Sequence, residues 1–177
     1  MKRDVLLIAI FAMIFVPASA LRMADLGNRP MHADEAVQAV KFGQLLEQGR
    51  YVYDPREYHG PSLNYLTLPV AAAASRSELT QINETQLRLV PAVFGLFLIA
   101  LLWLIRDGLG RAAVLWAALL TALSPAMVFY SRYYIHEMLL VCFTFGAMVA
   151  LIRLESWAGS AGRQAASSGR AVWLRPA

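Results

Sequence analysis

Apolar residues in this chain are gathered into long blocks, and four of those blocks are each close to the length that crosses a bilayer. The first runs from Val5 to Leu21, 17 residues interrupted only by Pro17 and Ser19. Leu89 to Ile105 and Ala112 to Tyr130 are the second and third, and residues 137–154 the fourth. A helix needs roughly 20 apolar residues to span the hydrocarbon core, and blocks of this kind carry no alternative period that a soluble helix or strand would use. The chain is 58% hydrophobic and 16% charged, against about 25% charged residues in an average soluble domain. The expected fold is therefore all-α and integral to the membrane, with about four transmembrane helices.

Charge sets the expected topology. The loop Arg106-Asp107-Gly108-Leu109-Gly110-Arg111 between the second and third spans is short and basic, and the chain opens Met1-Lys2-Arg3-Asp4. Short basic segments stay in the cytoplasm, which puts residues 1–4, 106–111 and 155–177 inside and residues 22–88 and 131–136 outside. With Arg153 and Glu137, at the two ends of the fourth span, counted on the sides they border, the inner segments carry eight Lys/Arg against three Asp/Glu, and the outer ones eight against nine. The first span also fits a signal peptide ending at Pro17-Ala18-Ser19-Ala20; the spans that follow favour a retained signal anchor. Leu63 to Ala74, at 12 residues with Asn64, Thr67 and Pro69 among them, is too short to cross and reads as an interfacial helix of the outer loop. Residues 155–177, rich in Gly, Ala and Ser, read as a disordered cytoplasmic tail.

A net charge of +4 raises the question of nucleic acid, but no basic run has the density that a phosphate-binding surface needs. Cys142 is the single cysteine and lies in an apolar block, so there is neither an internal disulfide nor a thiolate metal site.

The outer loop holds most of the acidic groups. Arg29-Pro30-Met31-His32-Ala33-Asp34-Glu35 precedes a helix-like stretch that ends at Gln48-Gly49. Asp34 stands where an N-cap is expected, Ala39, Phe42 and Leu46 lay the helix on a membrane or protein surface, and Gly49 supplies the stop. Two readings are open: a cap with a first-turn acid favoured by the helix dipole, or a site. The second draws on Tyr53-Asp54-Pro55-Arg56-Glu57-Tyr58-His59-Gly60-Pro61 and on Ser131-Arg132-Tyr133-Tyr134-Ile135-His136-Glu137, polar clusters expected on the same side. Ionisable groups at a membrane boundary need water, a partner or a site. If the outer loops meet above the packed spans, Asp34, Glu35, His59, Arg132, His136 and Glu137 converge, a set suited to an anionic, lipid-linked substrate.

In this order of features the chain resembles the N-terminal part of the GT-C class of membrane glycosyltransferases, the superfamily of protein O-mannosyltransferases and lipid A aminoarabinose transferase. The features are Asp34-Glu35-Ala36 in the first outer loop, Tyr58-His59-Gly60-Pro61 before Leu63-Asn64-Tyr65-Leu66, Arg88-Leu89-Val90-Pro91 opening span two, and Ser131-Arg132 with His136-Glu137 after span three. The wording His-Ala-Asp-Glu-Ala and Tyr-Ile-His-Glu-Met is most similar to a mannosyltransferase-like, flippase-associated prokaryotic branch. The resemblance implies a truncated N-terminal portion of an enzyme that takes a sugar from a polyprenyl-phosphate donor in the plasma membrane. The acceptor would be an extracytoplasmic glycan, lipid or protein.

The resemblance also implies that Asp34 is the general base or orients the acceptor, and that Glu35, paired with it at the catalytic position, is structural or donor-facing. His59, His136 and Glu137 would be substrate-facing. Arg132 and Arg56 are the cations expected for the departing phosphate, and carboxylates with His make a divalent metal compatible. The rival readings are a non-catalytic multi-pass fragment and a scaffold or transporter subunit. A signal-anchored structural protein, in which the loop is an ordinary surface domain, predicts Asp34 far from Glu137; a scaffold or transporter subunit predicts polar groups facing each other at mid-membrane.

Overall fold

The computed structural model describes residues 2–56 and 59–173, with side chains for 3–56 and 59–159. Among the described residues it is helical throughout, as the block pattern predicts. Helix α1 is Lys2–Met23, α2 Ala33–Gln48, α3 Ser62–Ala73, α4 Glu84–Leu104, α5 Arg106–Leu109, α6 Arg111–Leu123, α7 Pro125–Ser131 and α8 Glu137–Trp173. A single 3-10 turn at Leu79–Gln81 precedes α4.

Among the described residues, three helices are long and apolar enough to cross a membrane: Arg3–Met23, Glu84–Leu104 and Glu137–Gly159. Large apolar side chains such as Met13, Val16, Trp116, Leu120, Leu140 and Leu151 are exposed, a surface that lipid solvates and water does not. The third expected block differs in form. It is two helices, α6 and α7, bent by 62°. Pro125 supplies no amide to continue α6 and sits at the first position of α7, where Ser124 Oγ accepts from the Met127 amide at 3.4 Å. The carbonyls that the break leaves open are taken by the fully buried Arg22. Its Nη2 donates to Thr121 at 2.9 Å and its Nη1 to Ala122 at 3.1 Å.

Helix α4 is central, packing against α8, α7, α1, α3 and α6. Toward one end, Ala18, Ile99, Val114, Ala118 and Ala122 form a core in which small residues let α1, α4 and α6 approach closely. Toward the other, Phe42 of α2 and Leu63 of α3 pack with Leu87, Val90, Tyr134 and Leu139. The apolar stripe expected for α2 is present, with Ala39 and Phe42 buried in that core and Leu46 packed beside it. Gly49 closes the helix at φ +68°, its amide donating to Leu45. The backbone of α8 is helical from Glu137 to Trp173.

Candidate functional site

The N-cap of α2 is His32, two residues before the expected Asp34. The His32 ring accepts from the Asp34 amide at 3.3 Å, and Glu35 reaches back to accept from the His32 amide at 3.1 Å. This capping box fixes Glu35 at the third helical position, pointing inward, and leaves Asp34 in the first turn with its side chain 70% exposed. Neighbouring acids thus face opposite environments.

Glu35 is fully buried and completely occupied. Its Oε1 accepts from Arg88 Nε at 2.8 Å and from the Tyr134 amide at 2.9 Å. Its Oε2 accepts from Arg88 Nη2 at 2.8 Å and from Arg29 Nη2 at 3.2 Å. Arg88, likewise buried, spends its Nη1 on the carbonyls of Leu26 and Arg29, at 2.7 and 2.8 Å. Burial pushes the Glu35 carboxyl up, but Arg88 and the Tyr134 and His32 amides outweigh it, and the group sits below the usual carboxylate range. Arg29 is held over the faces of Phe129 and Tyr133, 5.3 and 4.9 Å from the ring centres. The knot ties the end of α1, the head of α2, the head of α4 and the segment before α8 into one unit.

On the solvent side of that knot lies a cleft of about 350 Å³, lined by Asp34, Val37, Gln38, His59, Ile135 and Glu137. Tyr133 Oη donates to Asp34 Oδ2 across 3.5 Å. Burial, with the nearby charges of Asp34 and Glu35, raises the Tyr133 hydroxyl above its ordinary value and keeps it a donor. His59 and His136 stack with ring centres 5.4 Å apart, and His136 Nε2 donates to the Gly60 carbonyl at 2.7 Å. Burial lowers the His136 imidazole below 6.5, the Gly60 bond opposes the shift and His59 adds to it, so the ring is neutral at pH 7.

The sequence-expected residues therefore separate into groups. Asp34, His59 and Glu137 share the cleft, with His136 stacked on His59. Glu35 lies behind them in the buried knot. Arg132 turns toward the end of α1, donating to the carbonyls of Leu21 at 2.6 Å and Asp25 at 3.4 Å. Arg56 is exposed in the turn after α2, where its amide donates to Asp54 Oδ1 at 2.8 Å. Tyr58 and Glu57 fall outside the described residues. Among the described residues no group of three or more His, Cys, Asp or Glu is placed to hold a metal ion.

Sequence reasoning gave Arg88 and Arg29, though both stand in the motifs it singled out, no role in the site, and passed over Gln38. Arg88 had a legible signal: a cation at the very head of an apolar block requires a partner. Gln38 had none beyond lying one helical turn after Asp34.

Comparison with family models matches residues 62–174, more than half of the chain, to dolichyl-phosphate-mannose-protein mannosyltransferase. Comparison with curated proteins and with solved structures gave no match.

Proposed function

From the premise that the chain belongs to the dolichyl-phosphate-mannose-protein mannosyltransferase family, we propose that its outer cleft transfers a mannosyl group from a polyprenyl-phosphate donor to a hydroxyl of an extracytoplasmic acceptor. Of the acceptor classes, a protein hydroxyl is the one that the family description favours. The proposed topology has the N-terminus and the loop at 106–111 in the cytoplasm, so that α2, α3 and the cleft lie outside.

The observation that carries the reading is the placement of Asp34: an exposed carboxylate on a cleft of about 350 Å³ opposite Glu137, its helix locked by the buried Glu35–Arg88 pair. The acceptor hydroxyl oxygen forms a bond to the anomeric carbon while the bond from that carbon to the phosphate oxygen breaks. The hydroxyl proton passes to Asp34, and the polyprenyl phosphate leaves with the electron pair. Glu35, with every oxygen committed, is a positioning residue, fixing the helix turn from which Asp34 projects. Glu137, His59 and His136 face the substrate. Positive charge for the phosphate comes best from Arg56, which is exposed; Arg132 is already bonded to carbonyls at the end of α1.

The test is transfer of labelled mannose from polyprenyl-phosphate mannose in membranes containing the chain. Asp34→Asn is expected to lower the rate by about 10²-fold or more, the usual contribution of a positioned general base, with no change in thermal unfolding. A rate unchanged in Asp34→Asn would remove Asp34 from the chemistry.

A further inference from the structure

Two residues that line the cleft carry buried atoms with no hydrogen-bond partner among the described residues, Gln38 Oε1 and His59 Nδ1, and His136, stacked on His59, carries a third at Nδ1. Buried polar atoms are almost always paired, and an orphan beside a cavity is a place where water or a bound molecule completes the pairing. Gln38 is the sharpest case. Its side chain is only 1% exposed, it lines the cleft, and it stands on α2 one turn beyond Asp34, on the same face.

The chemistry of the set identifies what it would bind. Gln38 Oε1 is an acceptor. His136 spends Nε2 as donor to Gly60, so its neutral ring offers Nδ1 as an acceptor too. Asp34 and Glu137 add carboxylate acceptors. Those two carboxylates repel a phosphate from this wall; the nearby cation, Lys41, whose charge reaches His136, lines the adjoining pocket on α2. A ring carrying several hydroxyls brings donors.

We infer that Gln38, with His136, reads hydroxyl groups of the bound sugar, so that this end of the cleft takes the glycosyl part of the lipid-linked donor and its phosphate lies outside it. The inference rests on the proposed sugar transfer and adds a specificity-determining residue to it. Gln38→Met is close in shape and carries no acceptor. Because it deletes an unpaired buried carbonyl, it should leave thermal stability equal or higher, whereas removal of a structural hydrogen bond would lower it.

The experiment is equilibrium binding of polyprenyl-phosphate mannose and of bare polyprenyl phosphate to the full chain in phosphatidylethanolamine–phosphatidylglycerol nanodiscs. The wild-type protein should prefer the mannosylated lipid. Gln38→Met should cut that preference by roughly tenfold, the loss of one hydrogen bond whose partner stays unpaired, with binding of bare polyprenyl phosphate unchanged. A variant that keeps the preference, loses both lipids equally, or melts earlier overturns the role of Gln38 and leaves the proposed transfer standing. Wild-type protein that does not prefer the mannosylated lipid overturns the proposed transfer and this inference with it.

Discussion

Glu35 and Arg88 stand 53 positions apart in sequence and make a two-point ion pair with almost no exposure. Removing one member strands the other charge in a site that offers it no water, a loss of about 3–5 kcal/mol. Arg88→Ala is therefore expected to lower thermal stability severely. Arg88→Lys should recover only part, because an ammonium cannot reproduce the planar fork; unfolding monitored in lipid nanodiscs checks both. The pair also predicts a pH dependence. Because the folded carboxyl titrates below its ordinary 4.5, the folded state binds fewer protons than the unfolded one. Its stabilisation is present above pH 4.5 and is lost as pH falls through the lower folded value. Glu35→Gln should flatten that acid limb of the stability profile, and an unaltered limb would show that another group causes it. The Asp-Glu doublet was legible in sequence as a feature before a helix. The division of labour within it was not, since only the His32 cap decides which acid turns inward.

At the scale of elements, the close approach of α4 and α7 rests on Gly95. A Cβ there would overlap Ser131 Oγ and lie 2.8 Å from Ser131 Cβ. Gly95→Ala should cost roughly 1–3 kcal/mol by overpacking, and Gly95→Ala combined with Ser131→Ala should recover part of it; equal stability of the single variant and wild type would contradict the contact. The spans themselves were readable because a bilayer imposes a length on each apolar block. The bend inside the third was less so: Ser124-Pro125 is a visible interruption, but apolar content alone does not distinguish a kink from a 62° break. Nor did periodicity reveal that the stripe on α2 packs against α3, α4 and Tyr134 within the chain, for a stripe states that a face is covered without stating by what.

Across the whole molecule, two segments distant in sequence line one cleft. The first reaches the cleft through Asp34, Gln38 and His59, the second through Ile135 and Glu137, and both are anchored on the same buried knot. Order along the chain and the resemblance to membrane glycosyltransferases supplied the candidates. Their sorting into cleft, knot and periphery depended on packing between residues about 100 positions apart, as in the Glu35–Tyr134 contact, which no local pattern encodes. The measurement that bears most directly on this claim pairs Asp34→Cys with Glu137→Cys in a Cys142→Ser background and treats intact cells with a short, membrane-impermeant thiol crosslinker. An intramolecular link is expected to form without permeabilising the cells. A link that appears only after permeabilisation would invert the topology, and no link in folded, inserted protein would mean that the two outer segments do not build one cleft.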